Sequence, residues 1–502
     1  MVDIDVLVVG AGPTGLALAC GLRLHGLSVR VIDRAQGPAT TSRANFLHAR
    51  GSEVLDRLGA LGALPDESLR AMRITNYLGD RPVMTLEFGD PRLGTAAPPM
   101  VVSQAKVEGA LRGRLEDLGT VPEWGTGLTG MRQDADSVLA QLSDGTESRA
   151  RWLVGCDGTA STTRSLVGIG FPGVKLTERF LLADLHLDWD LDRSGTTGWI
   201  HPSGVVGAMP MPDAEGRNDL WRLFAYDPDF RQPPSDGAIL ERFRQIIPQR
   251  TGLDIGVGEA EWLSLFTVHR RLAEDYRRGR VLVAGDAAHA HAPFGGQGML
   301  TGIGDAENLA FKLALVLRNG ASDALIDTYE AERRPLATEV LRGTSAVTRI
   351  NIASNPIGRF LRDRVAPRLF NVGAVQRWTT YTASQLWVSY RKGPLGGRGG
   401  KPRAGDRIAD IACDRLDGTR TRLHRELGGH WALLVPAGVS RDDGNIDAAR
   451  QRLGEYVHLL AYDGEQLMLV RPDGHLAWRG RRGDVTGLTR WITAALDTGC
   501  VR

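Results

Sequence analysis

Apolar and polar positions change period along the chain, and each change marks an element. Ile4-Asp-Val-Leu-Val-Val9 is a short β-branched run suited to a buried strand, Gly15 to Leu24 is an Ala- and Leu-rich stretch that predicts a helix, and Ser28 to Asp33 is a second β-branched run. Between the first run and the helix lies Gly10-Ala-Gly-Pro-Thr-Gly15, and Asp33 stands 18 residues beyond the last of these glycines. The spacing predicts a βαβ unit of about 30 residues, in which Gly10 turns the chain, Gly12 lets the backbone approach a pyrophosphate and Gly15 lets helix pack on strand. A helix N-terminus offers free N–H groups to phosphates, and Asp33 can accept from ribose hydroxyls. A dinucleotide is the expected ligand, and the pattern alone does not choose between a nicotinamide and a flavin.

Two later segments narrow the choice. Arg151 to Ser165 is an apolar strand running into Gly155-Cys-Asp157-Gly158 and a polar helix start. Arg280 to His289 repeats that logic with Gly285-Asp286, and is followed by Pro293-Phe-Gly-Gly-Gln297-Gly298-Met and a helix expected from about Gly302. A strand ending in Gly-Asp brings a carboxylate to a ribityl chain, and a glycine-rich helix start can neutralise an anionic reduced flavin. With these segments in order, and with Tyr329-Glu-Ala-Glu-Arg-Arg-Pro335 after them, residues 1–345 resemble the group A flavin-dependent aromatic monooxygenases of the para-hydroxybenzoate hydroxylase type.

The resemblance implies an α/β fold: a Rossmann-like, glutathione-reductase-type FAD-binding domain over 1–71, 100–170 and 266–345, with an inserted β-sheet substrate domain over 72–99 and 171–265. It assigns Gly10, Gly12, Gly15 and Asp33 to the ADP half of FAD, and Arg43 and Gln104 to its pyrophosphate and ribityl regions. Asp157 falls in a motif shared by FAD and the nicotinamide cofactor, Asp286 matches the ribityl ligand, and Gly295, Gly296, Gln297, Gly298, Met299 and Leu300 would lie beside the isoalloxazine. Many relatives carry Asn where this chain has Leu300, which removes one side-chain amide contact to the flavin. The family uses the region of Pro293 to line the hydroxylation site; His289 and His291 are expected to pack there, with His289 and Pro293 as the weak catalytic candidates. Arg164 is expected to fix the Asp157 loop and contact the cofactor.

Between the flavin segments, Ile74 to Phe88, Phe180 to Trp189 and Gly204 to Met211 alternate as strands do, and predict a sheet that roofs the pocket. Trp199, Met209, Met211, Trp221, Phe224 and Tyr226 are spaced to sit on it, either as core or as the lining of an apolar cavity that includes Pro293. Residues 346–395 form a helical connection, and the breaker-rich Gly393 to Pro402 marks a linker. Residues 396–502, with strands near Trp431, Val457, Leu467 and His475, resemble the thioredoxin-like tail of larger phenol and polyketide hydroxylases. Arg471-Pro-Asp-Gly-His475 is its most family-like part, and it has no CxxC, so a structural or dimer-contact role is expected rather than thiol chemistry.

Composition adds exclusions. The 502 residues carry 61 basic and 59 acidic side chains with no long run of one sign, which gives no electrostatic case for nucleic acid as a partner. Four cysteines at unrelated spacings exclude a disulfide framework and a zinc site and suit a reducing cytoplasm. The apolar stretch Val6 to Leu24 follows acidic residues and is broken by glycines, unlike a signal peptide, and no run is long enough to span a bilayer.

The activity implied by the resemblance is NADPH- or NADH-driven reduction of FAD, capture of O2 as a flavin C4a-hydroperoxide and transfer of one oxygen to a phenolic or polyketide-type ring. No second GxGxxG serves the nicotinamide, as expected for transient binding, and no residue stands out as the base that activates the substrate. A Baeyer–Villiger or epoxidising enzyme of the same fold would share these motifs. A flavin-bound protein that sequesters a planar ligand would share them too, although it need not keep all of them.

Overall fold

The computed structural model describes residues 4–501 apart from 41–43, 70–71, 213–215, 228–229, 231–234, 292–295, 352–357, 359, 361–363, 438–443 and 482–483. Arg43, Pro293 and Gly295 lie outside the described residues.

Three sheets organise a mixed α/β fold. In the first, Arg277–Arg278, Val281–Val283, Glu147–Gly155, Ile4–Val9, Val29–Asp33 and Glu123–Trp124 lie side by side, with Leu128–Gln133 and Val138–Leu142 attached. The four central strands run parallel, so the chain must cross over between them; one face is covered by helices and the other by Leu128–Gln133 and Val138–Leu142. That is why Val6, Leu7, Val8, Val31, Ile32, Leu153 and Val154 are all buried rather than alternating. Pro13–Leu24 packs against Gln297–Arg318 so closely that a Cβ on Gly21 would fall 2.8 Å from the Cβ of Ala310.

The second sheet has eight strands, in the order His289–Ala290, Val257–Leu272, Gly173–Leu187, Leu220–Tyr226, Gly204–Pro210, Gly195–His201, Arg73–Leu78 and Arg81–Glu87. All pairings are antiparallel except that of Gly195–His201 with Arg73–Leu78. One face carries Leu181, Ala183, Leu185, Trp199, Val206, Leu223 and Trp221 and is sealed by Ile239, Phe243, Ile246 and Ile247 of the helix Asp236–Thr251. The strands expected around Ile74, Phe180 and Gly204 thus belong to one sheet.

The third sheet, six strands from Ala412–Arg415 to Leu476–Gly480, is joined to the rest by more than a linker. Leu433 and Leu469 of this sheet and Ile492 of the helix Val485–Thr498 share one cluster with Phe311, Leu315 and Leu325. Among the described residues no helix is long and apolar enough to cross a membrane.

Candidate active site

The glycine loop behaves as its spacing predicts. Gly10 has φ 110°, and a Cβ there would lie 2.5 Å from the Cys156 carbonyl oxygen; a Cβ on Gly15 would lie 1.9 Å from the Gly10 carbonyl oxygen. Gly12 differs, with nothing within 4 Å of the place its Cβ would take. It caps Pro13–Leu24 with no side-chain hydrogen bond and no acid in the first turn, so the N–H groups of that turn face an open cradle suited to phosphate. Asp33 is partly committed: Oδ2 accepts from the Ala11 N–H at 2.7 Å and Oδ1 from the Ala35 N–H at 2.8 Å. Each oxygen keeps capacity for a ribose hydroxyl.

Three strand ends meet at this loop. The Gly10 N–H donates to the Ile32 carbonyl, the Cys156 N–H to Val9 and the Ala284 N–H to Gly155. Asp157 turns back on its own helix, accepting from Ser161 Oγ at 2.5 Å and from the Thr163 N–H at 2.9 Å. Arg164 is buried over the Phe171 ring and donates to the carbonyls of Thr159 and Ala287, both at 2.8 Å, which ties the Asp157 loop to the Asp286 loop. Asp286 is exposed among buried neighbours on both sides. Gly285 precedes it with φ 61°, and Cβ atoms on Gly285 and Gly302 would each meet Thr14 Oγ1, at 2.4 and 2.3 Å.

The helix expected from Gly302 starts earlier, at Gln297. Gly296 caps it in the left-handed region at φ 61°, and Gly298 opens onto free space. Glycines that break a helix interior are tolerated in a first turn, where N–H groups are unpaired anyway. Leu300 is turned inward beside Leu47 and Gly51, so the residue that replaces the family Asn is core here. Gln104 begins the helix Gln104–Asp117; its backbone N–H donates to the Ala44 carbonyl and its amide to Glu108 Oε1 at 2.9 Å.

Alternation divides the six roof candidates. Trp199 and Trp221 point to the helix-covered face and are core, not lining. Met209 lies on the other face, clustered with Met72, Val101 and Phe46, and Phe224 and Tyr226 share that face by their spacing on Leu220–Tyr226. Gly207 makes room for Phe224, whose ring lies 2.0 Å from where a Cβ would stand. Met211 Sδ accepts from Asn45 Nδ2 at 2.8 Å. Arg222, on the same face, forms a two-pronged pair with Asp184 at 2.6 Å and donates from Nη1 to Asn45 Oδ1. Phe46 also touches Gly296, so this face meets the glycine-rich turn across one residue.

His289 was expected here, whereas Asp305, Arg333 and Gln385 were not read as site residues. His289 Nε2 lies 2.6 Å from Asp305 Oδ2, which also accepts from the Gly285 N–H, while Arg333 Nε donates to Asp305 Oδ1 at 2.6 Å. Burial pushes the Asp305 carboxyl up, but His289 and Arg333 outweigh it and hold it at about 2. Gln385, at φ 54°, donates its amide to Thr301 Oγ1 at 2.8 Å and lies 3.4 Å from Gln297 Oε1, bracing the turn from the helical connection.

Open helix starts, an exposed Asp286 and close-packed glycines are features of a site built round a dinucleotide. The family model described as an FAD binding domain matches residues 3–344. The chain belongs to this FAD-binding family. It is 35% identical to the 6-methylpretetramide 4-monooxygenase of Streptomyces rimosus, over 98% of this chain and 93% of that protein. The structure of OxyS anhydrotetracycline hydroxylase from Streptomyces rimosus matches with a TM-score of 0.80 at 31% identity, covering 99% of both chains. A ternary complex of aklavinone-11 hydroxylase with FAD and aklavinone matches with a TM-score of 0.80 at 26% identity, again covering 99% of both chains. Like these family members, the chain is an FAD-dependent monooxygenase of the aromatic hydroxylase class.

Proposed function

We propose that the chain hydroxylates a polycyclic aromatic compound of the polyketide kind, using NADPH or NADH and O2. The observation that carries this reading is full-length similarity to hydroxylases named for tetracycline-type and aklavinone-type substrates. The open cradle at Gly12 and the uncapped helix start at Gln297 support FAD along the line from Asp33 to Gly298. On this reading Gly10, Gly12, Gly15 and Asp33 hold the ADP half, Arg43, Gln104 and Asp286 the pyrophosphate and ribityl regions, and residues 295–300 the ring. Asp157 acts through the loop it caps rather than by direct contact. Bound FAD supplies reduction by NAD(P)H and activation of O2 for transfer of one oxygen atom to an aromatic carbon.

The rest is done by the chain. First-turn N–H groups of Gln297–Arg318 stabilise negative charge on the ring, which costs no reorganisation because the helix is already formed. Met209, Phe224 and Tyr226 give a planar substrate an apolar ceiling that excludes water, and the buried Arg222–Asp184 pair adds one polar feature for orientation. The parallel sheet supports a Rossmann-like, glutathione-reductase-type domain, the eight-stranded sheet an inserted substrate domain, and the last sheet a thioredoxin-like tail with a structural role. On this reading the first domain spans 1–71, 100–170 and 266–345, the second 72–99 and 171–265 and the tail 396–502, with the roof strands Val257–Leu272 and His289–Ala290 reaching into the first domain's last segment.

Stopped-flow reduction of the yellow holoenzyme by NADPH and NADH, with and without anhydrotetracycline, 1-naphthol or a hydroxyanthraquinone, tests the proposal. The expected result is reduction accelerated by the polycyclic ligands, followed by a product one oxygen heavier whose NMR spectrum shows a new ring hydroxyl. A ring-expanded lactone would make it a Baeyer–Villiger enzyme. Reduction indifferent to every ligand, with only H2O2 formed, would overturn the hydroxylase reading.

A further inference from the structure

The run of breakers from Gly393 to Pro402 reads as a linker, yet it is held as firmly as an element of the fold. Its two flanks are tied together: the Tyr390 N–H donates to the Gly405 carbonyl at 2.7 Å, and the Gly397 N–H to the Ala404 carbonyl at 3.1 Å. Glycine makes that approach possible, because a Cβ on Gly396 would lie 2.4 Å from the Tyr390 carbonyl oxygen and one on Gly405 2.3 Å from the Arg391 nitrogen. The returning flank is pinned to the edge strand Leu476–Gly480. The Gly405 N–H donates to the Leu476 carbonyl, the Leu476 N–H to the Asp406 carbonyl and Arg479 Nη1 to the Lys401 carbonyl.

This framework encloses a cleft of about 440 Å³ lined by Arg391, Lys392, Gly397, Arg398, Gly399 and Arg403. Four of these residues are cations and none is an acid. The carboxylates of Asp406 and Glu332, which lie beside the loop, are already committed. Asp406 accepts from Ser389 Oγ at 2.6 Å and from the Arg403 N–H at 2.9 Å, while Glu332, against which Gly393 packs, is held by Arg471 and Lys312. Among the described residues the side chains of Lys392 and Arg398 make no hydrogen bond or ion pair, and that of Arg403 donates to the Gly399 carbonyl at 3.0 Å. Basic residues on a convex surface spread into solvent, whereas cations fixed round one concavity keep a standing positive potential. Gly399, at φ 128°, has nothing within 4 Å of the place its Cβ would take, so the backbone on that wall is open to a ligand.

We propose that this cleft binds a small ligand carrying two or more linked phosphate groups. Arginine forks meet phosphate oxygens in pairs and lysine adds a compact charge, and all four cations stay charged across the physiological range. A single carboxylate would leave most of that positive charge uncompensated. A nucleic acid needs a long basic stripe, whereas these cations all fall within residues 391–403 of a chain whose 61 basic side chains are balanced by 59 acidic ones. The volume is that of a small-molecule site, with room for a pyrophosphate and the sugar attached to it. A free nucleoside diphosphate and a phosphorylated nicotinamide dinucleotide both carry this chemistry. The site does not depend on which substrate is oxidised.

Calorimetric titration of the FAD-loaded full chain with inorganic pyrophosphate, ADP and NADP+ tests the proposal. Wild type should bind pyrophosphate one to one, more weakly as salt screens the cleft. The double variant Lys392→Gln/Arg398→Gln, whose side chains are exposed, should bind it about tenfold more weakly. Arg420→Gln removes an exposed charge near the opposite edge of the same sheet and should leave the affinity unchanged. Competition between NADP+ and pyrophosphate, with both weakened in the double variant, would assign the phosphates to the nicotinamide cofactor; loss of ADP binding with NADP+ unaffected would assign them to a separate nucleotide. Thermal unfolding without ligand should not fall in the double variant, since removing like charges relieves repulsion. No binding of any of the three to wild type, an equal loss in Arg420→Gln, or a ligand-free stability loss in the double variant with pyrophosphate affinity intact would overturn the site.

Discussion

Two buried charge clusters lie on the helices Gln297–Arg318 and Ala324–Asn351, and they are built differently. Beside the glycine-rich turn, His291, His289, Asp305 and Arg333 run in line, and His291 Nδ1 has no hydrogen-bond partner among the described residues. On the tail side, Arg471 donates to both oxygens of Glu332, at 2.7 and 2.9 Å, and to Asp473, while Lys312 bridges Asn308 and Glu332. Arg50 and Arg57 on Ala49–Leu58 pair with Glu307 and extend the cluster to the Asp473 carbonyl and His424. Tyr390 stands between the two, accepting from Arg333 through its hydroxyl and lying under Arg471. The tail-side cluster joins three helices to the last sheet through two-pronged ion pairs, whereas the other is a single line on one side of Gln297–Arg318; each keeps a buried nitrogen without a partner among the described residues, His291 Nδ1 in one and Arg57 Nη2 and His475 Nε2 in the other. The difference teaches that the number of elements a buried charge cluster joins, and not a single unpartnered atom, tells what it holds together.

The largest expected effect follows from breaking the closed cluster. Arg471→Met leaves Glu332 and Asp473 buried with half their partners gone, and should cost about 3–5 kcal/mol of stability. Urea unfolding checks this. FAD bound per folded molecule should not change, and loss of flavin in step with stability would break the contrast between the clusters. Next in size is Asp305→Asn, which weakens the hold on Arg333, His289 and the Gly285 N–H and should cost about 2–3 kcal/mol. Its distinguishing effect is on flavin binding, followed by flavin fluorescence on dilution, because the Gly285–Asp286 turn loses its anchor.

Acid sharpens the comparison without a mutation. Burial pushes the Glu332 carboxyl up, but Arg471 and Lys312 outweigh it and hold it down at about 2; Asp473 is likewise held well below the usual range against its burial. Folded-state values below the unfolded ones mean that this stability is complete above pH 4.5, the ordinary glutamate value, and drains away as pH falls toward 2. Wild-type unfolding free energy measured from pH 6 to 3 should therefore bend downward below pH 4.5, and Arg471→Met should bend less. Equal bends would mean that other carboxylates carry the acid response.

What the sequence made legible was local. The glycine loop, the strand ends that carry Asp157 and Asp286 and the roof strands were readable because each is written in fewer than about 20 neighbouring residues. Tyr329 to Pro335 was recognisable as a motif, but its meaning is tertiary: Tyr329 reaches the Val283 carbonyl, Glu330 the Tyr276 N–H, and Glu332 and Arg333 the two clusters. Arg471 to His475 stood out likewise, while its partner Glu332 lies 139 residues away. Which face Trp199 and Trp221 would take was not readable because both faces of the roof sheet are buried. Gln385 gave no signal, since its role comes from a left-handed backbone at a helix end.

The smallest expected effect carries the same contrast into the glycine loop. A methyl group on Gly15 has nowhere to go, being 1.9 Å from the Gly10 carbonyl oxygen, whereas one on Gly12 meets nothing within 4 Å. If that open space belongs to a pyrophosphate, Gly12→Ala should leave the apoprotein's thermal unfolding unchanged and weaken FAD about tenfold, or about 1.4 kcal/mol, because the methyl group occupies ligand rather than protein volume. Titration of apoprotein with FAD reads the affinity, and calorimetry of the apoprotein reads the stability. A stability loss without an affinity loss would show the space to be needed by the fold, and the cradle would have to be sought elsewhere along the helix start. An affinity loss alone places the phosphates by what an added atom displaces.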